Sequence, residues 1–374
     1  MIYLDNAATT KPSQKAAEAM LMSVEEFGNP SSLHGAGLRA EKLINGAKDN
    51  FAKALGVDKK NIYFTSGGTE ANNLAILGAA DVMKRRGNRV ITSKIEHPSV
   101  IEAFKRLEKD GFDVVYVGVN RDGAVNLDEF SEALTDDTVL VSIMHTNNET
   151  GVIQPVSDIS RLAREKAKNC VIHCDCVQAF GKLPIKPEQL GVDAISISAH
   201  KIHGFKGCGA LYTKTRISPV IVGGEQQNEI RPGTENVGGI LAFSAALSEC
   251  SFNADEMRRK RTLMKNLLSE KLDNIVINGS CENNSGSVLN VSFVGIKAEI
   301  LLHSLERYEI YVSTGSACSS HKPQPSHVLT AMGASQKEID GAIRISFSQN
   351  TTDSEIVYAS EKIAEEVKNI RKYM

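Results

Sequence analysis

Six short runs in the first two thirds of the chain are apolar and rich in β-branched residues: 61–64, 89–92, 113–117, 138–143, 171–174 and 194–197. Runs of this length without strict alternation predict strands covered on both faces. Between them, 71–85, 100–109 and 159–168 repeat apolar residues at helical spacing. Strand and helix in alternation predict an α/β architecture, a largely parallel sheet between two layers of helix.

From about Phe252 the rhythm changes. A long charged helical stretch leads to a strand near 287–292, and an amphipathic helix over 353–373 follows. That pattern predicts a second, smaller α+β domain. No internal repeat or low-complexity linker separates the two parts, so they are expected to pack around a cleft, a preferred place for a ligand.

Composition changes this picture little. The 374 residues carry 43 Lys and Arg against 45 Asp and Glu, a formal charge of -2. Charges are interspersed along helical stretches such as Met257-Arg258-Arg259-Lys260-Arg261, so neither a nucleic-acid patch nor an acidic tail is expected. The opening residues lack the basic start and apolar core of a secretion signal, and no apolar run is long enough for a bilayer. A soluble, cytoplasmic protein with no membrane contact is expected. Seven cysteines, an odd number, are expected as reduced thiols. Cys170, Cys174 and Cys176 cluster around His173, but strand geometry sends successive side chains to opposite faces, and no second ligand pair follows. No metal is expected there.

Three stretches carry chemistry. In Phe64-Thr65-Ser66-Gly67-Gly68-Thr69-Glu70 a strand runs through two glycines into a helix, which presents free amides to an anion. The spacing is neither a dinucleotide fingerprint nor a P-loop. In His173-Cys174-Asp175-Cys176-Val177-Gln178 an aspartate ends a buried strand, where a carboxylate calls for a cation. In Ser198-Ala199-His200-Lys201-Ile202-His203-Gly204 a lysine ends the next one. Taken singly, these are an ordinary turn, a capped acid and a solvated amine. Together they are the three anchors of pyridoxal phosphate: phosphate, ring nitrogen and aldehyde carbon.

With these motifs in order, from Tyr3-Leu4-Asp5-Asn6-Ala7-Ala8-Thr9-Thr10 to Ala342-Ile343-Arg344-Ile345-Ser346, the chain resembles the cysteine desulfurases. The likeness is to their NifS/IscS-like branch, among the class V aminotransferases and the fold-type-I pyridoxal phosphate enzymes. It implies an aspartate aminotransferase-like fold, with a mostly parallel seven-stranded sheet in a large cofactor-binding domain of residues 14–251. A small domain of 1–13 and 252–374 carries the catalytic cysteine loop. Lys201 would carry the cofactor. Gly68, Thr69, Ser198 and His200 would hold its phosphate. His97 matches the histidine that stacks on the pyridine ring and is placed to relay protons. Asp175 would pair with the ring nitrogen and Gln178 with the ring hydroxyl. Asn148 would contact cofactor and substrate, and Arg344 would grip the substrate carboxylate. Thr234 would reach the phosphate of the neighbouring subunit, which implies a homodimer.

The reaction is set by Val312-Ser313-Thr314-Gly315-Ser316-Ala317-Cys318-Ser319-Ser320. A cysteine in so small and polar a loop is expected to be exposed and mobile, whereas Cys250 sits in a helical pattern and reads as a core thiol. The resemblance implies that Cys318 takes sulfur from L-cysteine as a persulfide, leaves L-alanine, and hands the sulfur to an acceptor protein. The loop length resembles the branch whose cysteine swings out to that acceptor.

Three positions depart from the family pattern. Cys176 stands where a small alanine usually packs on the cofactor. Gln349 stands where some members carry another arginine. The sequence stops at Met374 without the tail with which some relatives dock an iron–sulfur scaffold. The alternatives are a selenocysteine lyase or an aminotransferase on the same fold, and a sulfur scaffold without catalysis.

Overall fold

Neighbouring residues on the central strands face opposite cores. Val90, Leu140, Val171 and Ala194 join one buried cluster, while Ile91, Val141, Ile172 and Ile195 join another. Side-chain alternation along a strand makes this division, and a sheet with two apolar faces must be covered on both.

The computed structural model describes residues 1–250, 253–315 and 325–373. Its strands are β1 (Ile2–Tyr3), β2 (Ile62–Thr65), β3 (Arg89–Ser93), β4 (Asp113–Val117), β5 (Thr138–Met144), β6 (Val171–Asp175) and β7 (Ala194–Ser198). They continue with β8 (Gly209–Thr213), β9 (Ile275–Asn278), β10 (Val288–Phe293), β11 (Ile310–Tyr311), β12 (Ser313–Thr314) and β13 (Ala342–Ser346). A seven-stranded sheet has the order β2-β8-β7-β6-β5-β3-β4. Neighbours from β7 to β4 are parallel, and β8 runs antiparallel to both β7 and β2. This is the mostly parallel α/β sheet expected of fold type I, with β8 the member the apolar pattern does not announce.

Parallel strands end along one edge of a sheet, and the connections leaving that edge build the site. Helix Gly68–Met83 begins just past β2 and lies against β5 to β8. It is buried on most of its circumference, as its Ala- and Gly-rich sequence permits. Helix Pro98–Lys109 follows β3, starting with Pro98 in its first turn and His97 as its cap. On the opposite face, helices Gly35–Leu55 and Val237–Ser248 meet at Phe51, whose ring lies 4.6 Å from Phe243, 5.5 Å from Phe64 and 6.0 Å from Phe180.

A separate buried cluster gathers Leu4, Met264, Leu289, Val291, Phe293, Leu301, Ile345 and Ile363. It lies over an antiparallel sheet of order β12-β13-β10-β9, against helices Ala254–Lys271, Ala298–Glu306 and Asp353–Arg371. β1 pairs in parallel with β11. Among the described residues, no helix is long and apolar enough to cross a membrane.

Phe51 is fully buried, and truncating such a ring removes about 3–5 kcal/mol. Phe51→Ala is expected to lower the unfolding free energy by about that amount and to loosen the turn carrying Phe180. Denaturant unfolding checks it: a loss below about 1 kcal/mol would show that the cluster does not act as drawn.

Candidate active site

Lys201 lies in the connection between β7 and β8. Its Nζ donates to Ala7 O at 2.6 Å and to Ala8 O at 2.7 Å. Residues near the start of the chain hold this connection in place: Thr10 N–H and Oγ1–H both donate to His200 O, at 2.8 and 3.0 Å, and His203 N–H donates to Thr10 Oγ1 at 2.7 Å. His203 takes the left-handed backbone (φ 67), held by a 2.9 Å contact between its Nδ1 and Lys11 O. Such strain persists where the surroundings over-determine it. His200 Nδ1 lies 3.2 Å from Thr9 Oγ1, and burial, then the Lys201 charge, lowers its imidazole to about 4.

Asp175, at the end of β6, is buried. Asn72 Nδ2 donates to its Oδ2 at 2.7 Å and the Val177 amide to its Oδ1 at 2.9 Å. Asn72 Nδ2 also reaches Ser99 Oγ at 2.9 Å, and Ser99 Oγ lies 2.8 Å from His97 Nδ1. One polar chain thus links His97 to Asp175. The Ser99 amide donates to His97 Nδ1 at 3.1 Å, which assigns the ring proton to Nε2. Burial lowers the His97 imidazole, against the pull of Asp175. Gln178 Nε2 donates to Ala7 O at 2.9 Å, the carbonyl that also holds Lys201.

The helix Gly68–Met83 begins without a side-chain cap, leaving the first-turn amides near Gly68 and Thr69 for an anion. A Cβ on Gly68 would meet Val177 Cγ2 at 2.7 Å and Ser198 Cβ at 3.5 Å. Only glycine lets this turn approach the ends of β6 and β7. A Cβ on Gly209 would lie 2.6 Å from the Gly67 backbone, so the start of β8 is held to glycine by the same close approach.

Arg344, on β13, brings the second core to the site. Its Nη2 donates to Asp5 Oδ1 at 2.8 Å and its Nη1 to Asn148 O at 3.2 Å, while Nε is buried with no hydrogen-bond partner among the described residues. Contacts therefore bring Gly68, with Thr69 beside it, against Ser198, link His97 to Asp175, join Gln178 to Lys201, which follows His200, and set Asn148 against Arg344. Thr234 stands exposed on the loop before helix Val237–Ser248. Cys318 lies outside the described residues. Cys250 falls past the end of that helix, not within it, and is partly exposed. Asp5, the Ala7 and Ala8 carbonyls, Asn72 and Glu96 are site groups that the sequence reading did not name.

Over residues 2–358 the chain matches the family described as Aminotransferase class-V. It belongs to that family. Within the class-V aminotransferases it falls in the IscS/NifS-like branch. It is 40% identical over 382 residues to the cysteine desulfurase IscS of Dictyoglomus turgidum, covering 100% of this chain and 96% of that one. The cysteine desulfurase IscS of Methanosarcina thermophila is also 40% identical, over 99% of this chain and 93% of its own. A solved NifS-like protein superposes with a TM-score of 0.92 at 39% identity, covering 98% of this chain and 99% of that one. The solved complex of SspA with cysteine gives 0.83 at 32% identity, with 93% and 99% covered.

Class-V aminotransferases use pyridoxal phosphate, and the residues of this member fit it. Among the described residues Asp175 has two neutral donors and no ion-pair partner, the setting a protonated ring nitrogen would complete. The uncapped helix start suits a phosphate, and Lys201 supplies an amine on the connection that follows β7.

Glu96, next to His97, accepts from Ser93 Oγ–H at 2.6 Å and the Met144 amide at 3.0 Å, and its Oε2 is buried with no partner among the described residues. Burial pushes its carboxyl from 4.5 up to about 8. A raised acid stabilises the fold fully below the unfolded value, and here that contribution is lost between about pH 4.5 and about pH 8. Glu96→Gln removes the loss. Its unfolding free energy is expected to gain on wild type across that window, by at most about 1.4 kcal/mol per pH unit, and to run parallel above it. A constant difference at every pH would refute a buried neutral acid.

Proposed function

We propose that this protein is a cysteine desulfurase. It converts L-cysteine to L-alanine and carries the sulfur as a persulfide on Cys318 to an acceptor protein, for iron–sulfur cluster assembly or other thio-cofactor synthesis. The observation that carries the reading is 40% identity, sustained along the whole chain, with relatives named cysteine desulfurases. It is supported by the contacts that join Lys201 to Gln178 through the Ala7 carbonyl and His97 to Asp175 through Ser99 and Asn72.

In this reading Gly68, Thr69, Ser198 and His200 hold the cofactor phosphate, Asp175 the ring nitrogen and Gln178 the ring oxygen. When bound, pyridoxal phosphate supplies a sink for the electron pair left at the substrate Cα. Lys201, placed by the Ala7 and Ala8 carbonyls, takes the Cα proton in its neutral form. His97 meets the Ser99–Asn72–Asp175 chain at Nδ1 and keeps its Nε2 proton on the opposite edge of the ring. The Cys318 thiolate attacks the substrate sulfur: the S–S bond forms, the substrate C–S bond breaks, and the carbon fragment takes up protons to become alanine.

Arg344 selects the substrate carboxylate. Asp5 and Asn148 engage its two Nη groups, and the buried Nε lacks an acceptor among the described residues. A substrate carboxylate would relieve an unmet donor that costs about 1–3 kcal/mol. A planar fork suits that job better than an ammonium.

The molecule acts as a cytoplasmic homodimer, with residues 14–251 as the large domain and 1–13 with 252–374 as the small one. Phe27, Leu33 and Val222 are 84%, 94% and 85% exposed, a cost that a second copy would remove. Thr234 belongs to the same loop as Val222 and reaches the neighbouring phosphate site.

Purified protein with a reductant is expected to release alanine from L-cysteine and to carry a persulfide on Cys318 by mass. Cys318→Ala should lose both, and Arg344→Lys should raise KM roughly tenfold to a hundredfold with a smaller change in kcat. Equal alanine from wild type and Cys318→Ala would hand the site to a lyase. Phe27→Asp with Val222→Asp is expected to give monomers by analytical ultracentrifugation, with weaker cofactor retention. An unchanged dimer would move the interface elsewhere.

A further inference from the structure

Lys182 is a half-buried cation to which the chemistry above assigns no task. The chain turns sharply after β6, and Lys182 N–H donates to Ala179 O at 3.0 Å. Gly181 makes the turn at φ 78, where a Cβ would meet Ile202 Cγ2 at 2.5 Å and Cys250 Sγ at 2.9 Å. The turn sets Lys182 Nζ 3.2 Å from Gln178 Oε1. At the other end of the same amide, Gln178 Nε2 donates to Ala7 O, which also accepts from Lys201 Nζ.

An amide can turn over, exchanging its oxygen and nitrogen, and only its partners decide the orientation. An ammonium has donors alone, so it must face the oxygen. A carbonyl only accepts, so it must face the nitrogen. Both partners of Gln178 demand the same orientation. We propose that Lys182 is a positioning residue: by donating to Gln178 Oε1 it locks the amide so that Nε2, and not Oε1, is offered to the cofactor's ring oxygen. This rests on the cofactor assignment made above for Gln178.

The lock stands in a cationic setting. Lys182 is faced by Lys201, His200 and His203 from the lysine connection and by Arg344 from β13. Cys250 and Glu249 face it from the end of helix Val237–Ser248, across a cavity of about 160 Å³. Burial first, then the Lys201 and Arg344 charges, lowers its amine to about 7. Lys182 is therefore a donor-only partner below that pH and can accept as well as donate above it.

The test reads the visible absorbance of the holoenzyme against pH, without turnover. A donor to the ring oxygen favours its anionic form, so loss of the lock raises the midpoint of the spectral change. Lys182→Met is expected to raise it by about one pH unit, and Lys182→Arg, which keeps a donor for Oε1, to restore most of the shift. Adding Lys182→Met to Gln178→Ala should move the midpoint by less than about a third of that, because the amide it acts through is gone. Should the methionine variant be too unstable, Lys182→Gln fills the space with a group that donates or accepts, and carries the same comparison. An unmoved midpoint in a coloured Lys182→Met protein overturns the proposal, and so does an equal shift with and without Gln178. A wild-type protein that stays colourless with added pyridoxal phosphate overturns it together with the cofactor assignment, which separates the two failures.

Discussion

The carboxylate of Asp175 is the constraint around which the site is built. A charge buried at the end of a central strand is costly unless its surroundings answer it. Helix Gly68–Met83 answers from one side with Asn72, and the backbone answers from the other at Val177. Asn72 can reach it only because the helix begins in glycine, close enough to the strand ends that a single Cβ on Gly68 would strike Val177. The glycine, the uncapped helix start and the paired acid are three views of one close approach. A ring whose nitrogen is cationic and whose substituent is anionic matches both ends of it.

The segment from Leu4 to Thr10 joins the two cores. Leu4 is buried in the cluster under β10 and β13, Asp5 meets Arg344, the next carbonyls hold Lys201 and Gln178, and Thr10 braces His200. The amine of Lys201 and the guanidinium of Arg344 are therefore set against each other by a short stretch of backbone. A shift of the small core relative to the large sheet would be felt at Lys201 through that stretch.

Much of this was legible in the residues. The six apolar runs all became strands of the large sheet, because strands covered by helices on both faces are apolar along their length and need no partner to be recognised. The strand β8 was missed: it is five residues long, follows a glycine-rich turn, and owes its place to pairing with β7 and β2. Asp175 ends β6 and Gly68 begins a helix as the sequence reading has them, whereas Lys201 lies in the connection past β7, which ends at Ser198. Asn72 could not be read, since its partner lies 103 residues away. Asp5 and the carbonyls of Ala7 and Ala8 were invisible for a related reason, as nothing in their own neighbourhood announces Arg344 or Lys201. Cys250 was placed inside a helix that in fact ends at Ser248, an error of the kind helix ends invite.

The pairing of Leu4, Asn6 and Ala7 with Ser346 carries a consequence for how the protein is made. These contacts span 342, 340 and 339 positions of sequence. During synthesis the residues that will seat the lysine leave the ribosome long before the strand that receives them exists. The large sheet can close over its own core while they wait, but Lys201 and Gln178 have their shared carbonyl fixed only when β13 arrives. Competence for the cofactor is thus acquired late and at once, a checkpoint written into chain order: an incomplete chain folds much of its bulk without acquiring a finished site.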